Sequence, residues 1–224
     1  MRFLIPPDRD ASYVAALETV LDTYAEPDDP AVPLVCFDEA GKEFPAPTRA
    51  PLPGSPVRED PEDGRHGSAN CFLAYAPHLG WRQVTVTSQR TAVDWARAMR
   101  ELVDVQFSDA ARLIVVRDNL NTHRLSSLDT AFPAAAQRMA RKLELRCTPN
   151  HGSWRTMAEL ELSVLSRQCL SRRLPEQETR ERDVAAWTQA RTSVAAPAHW
   201  TFTTEEARTT LTHLSPIPVC DTSA

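Results

Sequence analysis

Glycine is scarce in this chain, with six residues against eighteen prolines, a balance that points to long, stiff connections between elements. The five cysteines (Cys36, Cys71, Cys147, Cys169, Cys220) form no CxxC pair and show no paired spacing with histidine. That argues against a zinc site or a disulfide framework and fits a reduced, cytoplasmic setting. Long apolar runs are missing too: no window approaches transmembrane length, and the opening Met1 to Ile5 is cut off by Pro6 and Pro7, too soon for a signal-peptide core. Nothing here targets a membrane. Lysine is nearly absent, Lys42 and Lys142 alone among 25 basic residues, a bias better assigned to genome composition than to phosphate chemistry. The net charge of −5 tells against strong autonomous DNA binding, because phosphate contacts normally rest on a basic surface. Basic residues do gather at Arg138, Arg141, Lys142 and Arg146, and again at Arg167, Arg172, Arg173, Arg180 and Arg182; we read both groups as solvated helix faces. The tryptophans (81, 95, 154, 187, 200) are spread without a stacking pattern and belong to cores and their margins. There is no internal repeat.

What the chain does have is 224 residues with 42% hydrophobic and 25% charged side chains, enough for one good-sized core. Val14, Leu17, Val20, Leu21 and Tyr24 recur at helical spacing and predict a helix over 11–25, ending before Pro27. Val32 to Phe37 is a short continuous apolar run of the kind that marks a central strand covered on both faces, with Asp38 where it gives out. Residues 43–67, rich in Pro, Asp, Glu and Arg, read as a long loop or irregular hairpin. Strands 70–76 and 83–87 around the turn Pro77-His78-Leu79-Gly80 read as an antiparallel hairpin. A helix over 93–105, a strand over 112–117, a helix over 127–142 and a strand over 143–147 follow. A further helix then carries Glu159. Strands first, then helix and strand in alternation, is the order of a mixed α/β sheet flanked by helices. Segments 176–193 and 204–214 look helical and make a C-terminal appendage.

Three acidic positions carry the chemistry. Asp38 follows one apolar run, Asp118 follows Leu-Ile-Val-Val-Arg, and Glu159 lies in Ser-Trp-Arg-Thr-Met-Ala-Glu-Leu-Glu-Leu. Two strand-end carboxylates and a helical one make the ligand set of a two-metal phosphoryl-transfer site, since magnesium prefers hard oxygen ligands and keeps several waters. Taken singly, Asp38 and Asp118 are also ordinary turn-forming acids. Their separation suits two strands of one sheet divided by a hairpin and a crossover helix. The helical acid is less certain on periodicity: at about 100° per residue, Glu161 falls within the apolar arc and Glu159 beside Ser163 and Ser166. A wheel alone selects Glu161. Glu39, on the opposite face from Asp38 if the strand continues, reads as structural.

The surrounding words are more specific than the acids: Cys-Phe-Asp-Glu-Ala-Gly (36–41), Arg-Asp-Asn-Leu-Asn-Thr-His (117–123) and His-Gly-Ser-Trp-Arg-Thr-Met-Ala-Glu-Leu-Glu-Leu (151–162). With Gly-Ser-Ala-Asn-Cys-Phe-Leu (67–73), Gly-Trp-Arg-Gln-Val-Thr-Val-Thr (80–87) and Arg-Thr-Ala-Val-Asp-Trp-Ala (90–96) in the same order, they resemble the catalytic domain of bacterial insertion-sequence DDE transposases of the mariner superfamily. The resemblance runs from about Ile5 to about Pro216. It implies a ribonuclease-H-like fold at 31–173, with a leading helix and linker at 1–30 and a helical extension at 174–224. It also selects Glu159 over Glu161, implies that Asp38, Asp118 and Glu159 hold two Mg2+ ions (Mn2+ as substitute), and leaves His123 to orient a phosphate or a ligand carboxylate. The implied activity is DNA strand cleavage and strand transfer. The implied partners are DNA, as transposon ends and target, and a second copy or a full-length transposase. Three departures from the family pattern stand out. Arg117 takes an apolar position, Arg155-Thr156 replaces Leu-Asn, and the family's helix-turn-helix, which recognises the transposon ends, has no counterpart here. These departures motivate the alternative of an inactive, truncated remnant acting only by protein association.

Overall fold

The apolar run Leu34-Val-Cys-Phe has no polar side chain to offer water, and it forms the middle of the sheet. The structure is a computed structural model that describes residues 11–43, 68–118, 124–149, 156–171 and 177–210. Its strands are β1 (Leu34–Glu43), β2 (Ser68–Ala76), β3 (Trp81–Thr87), β4 (Leu113–Arg117) and β5 (Leu143–Cys147). They lie in the order β3-β2-β1-β4-β5, with β2 antiparallel to both β1 and β3, and β4 and β5 parallel to β1.

Alternation along the strands feeds two separate cores. Leu34 and Cys36, with Ile114 and Val116 of β4, face α1 (Ala11–Ala25), α5 (Met157–Gln168) and α6 (Gln177–Val194), where Val20, Leu165 and Val184 complete the layer. Val35 and Phe37, with Leu113 and Val115, face α2 (Ala92–Glu101), α3 (Ser126–Ala131) and α4 (Ala136–Lys142), where Trp95, Met99, Leu128 and Met139 are buried. The strand order and this two-sided helical cover match the ribonuclease-H-like arrangement expected from the sequence.

Several boundaries differ from expectation, each for a physical reason. β1 does not give out at Asp38. Its parallel pairing with β4 stops at Phe37↔Arg117, but its antiparallel pairing with β2 runs on to Glu43↔Ser68. Asp38 therefore sits where β1 loses one neighbour while keeping the other. The helix expected over 127–142 is two helices, because Pro133 has no N–H to donate and separates α3 from α4. The helix expected over 93–105 starts from a Thr91–Asp94 capping box and ends as α2 at Glu101, continuing as a π-helical turn over Leu102–Gln106. Lys142 Nζ donates to the carbonyls of Val103, Phe107 and Ser108 at the end of that turn.

The C-terminal helices pack into the body. α6 lies along β3, and Ala207 of α7 (Thr204–Thr210) is buried with Tyr13, Leu17 and Leu21 of α1. The β2–β3 turn fits closely against the end of α6: Gly80 has φ +60°, and a Cβ there would stand 2.7 Å from the backbone of Ala195. Both the conformation and the space require glycine. No helix among the described residues is long and apolar enough to cross a membrane.

Candidate active site

Where β4 ends beside β1, the sheet opens into a cleft of about 640 Å³ lined by Asp38, Glu39, Asp118 and Glu159, with Arg90, Ser163, Ser166 and Arg167 around them. The topology explains the opening. β4 stops at Arg117, so Asp118 leaves the sheet at the level where Asp38 loses its parallel neighbour. α5 starts at Met157 on the same side of the sheet as Cys36, and Asp38 shares that side by alternation. Glu39 lies on the opposite side, in line with Phe37, and pairs with Arg90 at 3.3 Å. It was expected to be structural, and the ion pair gives it that role, yet it also forms part of the cleft wall.

Asp38 is only 8% exposed, and one oxygen accepts a hydrogen bond of 2.8 Å from the Glu39 amide. Burial above all, opposed by that hydrogen bond and helped by the negative charges of Asp118, Glu159 and Glu39, pushes its carboxyl up to about 7. Burial raises Glu159 as well. Carboxylates driven together without an equal number of cations resist ionisation, which is the electrostatic condition a divalent cation relieves.

Local sequence aims Glu159. Thr156 is the N-cap of α5, and its hydroxyl accepts from the Glu159 amide at 3.0 Å. Thr-x-x-Glu is the pattern of a capping box, in which the glutamate would turn back to the cap residue's own amide. Here Glu159 lines the cleft instead, and its buried Oε2 has no hydrogen-bond partner among the described residues. Thr156 stands where the family word has Asn. Both are good N-caps, so this departure preserves the helix start. Arg155, its neighbour, lies outside the described residues.

Glu161, the choice of a helical wheel, is buried for a different reason. Arg82 Nε lies 2.9 Å from its Oε1, off the line of a hydrogen bond, and Arg191 donates to both its oxygens at 2.8 and 3.2 Å. It does not line the cleft. Arg117 is 6% exposed and donates to the backbone carbonyl of Asp118 at 2.6 Å, while burial works against its charge. His123 lies outside the described residues. Arg90 and Arg167 are cleft residues that the sequence reading did not select; the position of Arg167 two turns after Glu159 on α5 was the available signal.

Among the described residues, no three His, Cys, Asp or Glu side chains form a ready-made metal cage. The acids still suit a hard divalent cation, because they are all oxygen donors, one buried carboxylate oxygen has no partner, and an open cleft leaves room for waters.

A 3-2-1-4-5 mixed sheet flanked by helices, with an open acidic cleft at its mouth, places the molecule among ribonuclease-H-like domains. The model of the DDE superfamily endonuclease family matches residues 33–180, and the chain belongs to that family. Sequence comparison with curated proteins finds no match. Among solved structures, the Mos1 strand transfer complex is similar at 11% identity and TM-score 0.47, over 90% of this chain and 66% of that one. The mariner Mos1 paired-end complex with Mg follows at 13% identity and TM-score 0.45, over 90% and 67%. The chain thus spans about two thirds of the length of each.

Proposed function

We propose that this chain is a transposase catalytic domain that cleaves DNA strands and transfers them, using two divalent cations held by Asp38, Asp118 and Glu159. One observation carries the reading: the three acids selected from sequence line one cleft, and mutual repulsion with burial raises Asp38 to about 7. Bound there, such cations would lower the charge on a phosphodiester and ready an oxygen nucleophile for in-line attack. The chain's own residues set the stage. The Glu39 amide fixes the Asp38 carboxylate, Thr156 fixes the start of α5, and Arg117 holds the Asp118 carbonyl. Arg90 and Arg167, at the cleft wall, are suited to backbone phosphates on either side of the reacting one.

DNA is therefore the substrate we assign, with Mg2+ the natural ion and Mn2+ its substitute. A second copy of this chain or a full-length transposase is the protein partner we assign. The inactive-remnant reading is weaker, because two of the departures that motivated it are accommodated: Thr156 caps α5, and Arg117 is engaged by a backbone carbonyl.

The test is nicking of supercoiled plasmid in Mn2+, which needs no end recognition. Wild type should nick and Asp118→Asn should not, with unchanged circular dichroism. Nicking by Asp118→Asn at the wild-type rate would refute the assignment.

A further inference from the structure

The family match ends at residue 180, yet the most heavily paired buried carboxylate on α5 is held from beyond it. Glu161 is gripped from two sides, by Arg82 of β3 and by Arg191 of α6. The side chains of Arg82 and Glu161 are 3% and 8% exposed, and that of Arg191 is 35% exposed. Each guanidinium is itself seated on a ring: Arg82 lies 5.2 Å from the Tyr75 centroid and Arg191 5.5 Å from that of Trp187. Two further hydrogen bonds tie α6 to its surroundings. Thr192 donates to the Arg82 carbonyl at 3.2 Å, and Trp187 Nε1 donates to Gln168 at the end of α5 at 2.9 Å.

Glu159 and Glu161 are two residues apart, so they project from α5 on nearly opposite sides, about 200° around the axis. Whatever fixes Glu161 against β3 and α6 also fixes how far α5 is rolled, and hence where Glu159 points. We propose that Arg82 and Arg191, by holding Glu161, are positioning residues that set the roll of α5 and aim Glu159 into the cleft. Helix α6 is then a working part of the catalytic centre. This rests on the cation-binding reading given above.

Arg191 is the arm to cut, because its partial exposure lets the fold survive. In the full chain, Mn2+ affinity is measured by calorimetry for wild type, Arg191→Met, Arg191→Lys, Asp118→Asn and the exposed control Arg182→Met, with melting temperatures alongside. Arg191→Met should weaken Mn2+ binding roughly 10- to 100-fold, with Arg191→Lys recovering part of the loss and Arg182→Met behaving as wild type. Equal affinity in Arg191→Met and wild type, where Asp118→Asn abolishes binding, would overturn the positioning role alone. Weakening in Arg191→Met that Arg191→Lys does not relieve would also overturn it, since charge at 191 would then be irrelevant. Wild-type binding that is absent, or indifferent to Asp118→Asn, would overturn the cation reading and the positioning role with it.

Discussion

Asp38→Asn should make the cation-free protein more stable at neutral and alkaline pH while destroying its activity. In the folded state the Asp38 carboxyl titrates at about 7, against an ordinary value of 3.8. A carboxyl raised by folding favours the folded state while both states are protonated, and that advantage is lost as pH climbs from about 4 through 7. At about 1.4 kcal/mol per pKa unit the difference comes to about 4 kcal/mol, an upper bound that the wild type forgoes above pH 7. Asparagine carries no charge to desolvate and keeps an oxygen for the Glu39 amide. Urea denaturation in EDTA, run from pH 4.5 to 8.5, should show the two proteins within about 1 kcal/mol of each other at the acid end. The variant should then pull ahead by up to about 4 kcal/mol at the alkaline end. With Mn2+ at about a hundred times its dissociation constant, the wild type should recover about 2.7 kcal/mol and the variant much less. A variant that is less stable than wild type at pH 8, or a difference that does not change with pH, would refute this account of the site.

Three other substitutions probe the supports. Thr156→Ala removes the cap of α5 and should cost about 1 kcal/mol, lowering the melting temperature by about 2–4 °C, whereas Thr156→Asn should restore both stability and nicking. Arg167→Ala should leave the melting temperature within a degree or two but weaken binding of an oligonucleotide, with a shallower salt dependence by about one charge, read by fluorescence anisotropy across a salt series. Gly80→Ala drives a methyl group to 2.7 Å from the Ala195 backbone at a positive φ and should destabilise by more than about 1 kcal/mol in chemical denaturation.

The central strands were legible because Leu34-Val-Cys-Phe and Leu-Ile-Val-Val need cover on both sides, a requirement that fixes their place in any sheet. The length of β1 was not, since its extension to Glu43 depends on pairing with β2, a partner that no local pattern names. The break at Pro133 was written in the residue and overridden by helical periodicity on both sides of it. For the site, the family word located Glu159 where the helical wheel selected Glu161. The wheel placed Glu161 inward, and it is buried, but against Arg82 and Arg191, which are distant along the chain, rather than in the cleft that Glu159 lines. Arg117 looked costly in a central strand. Its guanidinium reaches the Asp118 carbonyl, a contact created by the strand's end rather than by its sequence.

The two glutamates of α5 separate what the fold requires from what it tolerates. Glu161 is buried with two guanidiniums on it, the arrangement that offsets the desolvation of a charge. Glu159, in the first turn of the same helix, has a buried oxygen with no hydrogen-bond partner among the described residues, although Thr156 offers the geometry of a capping box that would have engaged it. Asp38 adds a second cost, its burial only partly offset by the Glu39 amide. Folding alone gives no reason to satisfy one acid so fully and leave its neighbour exposed to repulsion. We read local rules broken together at one cleft, at Asp38 of β1 and Glu159 of α5, as the mark of the proposed ligand. The ion we propose there would be positive, hard and small enough to share oxygens from β1, the end of β4 and α5, a description that fits a divalent cation.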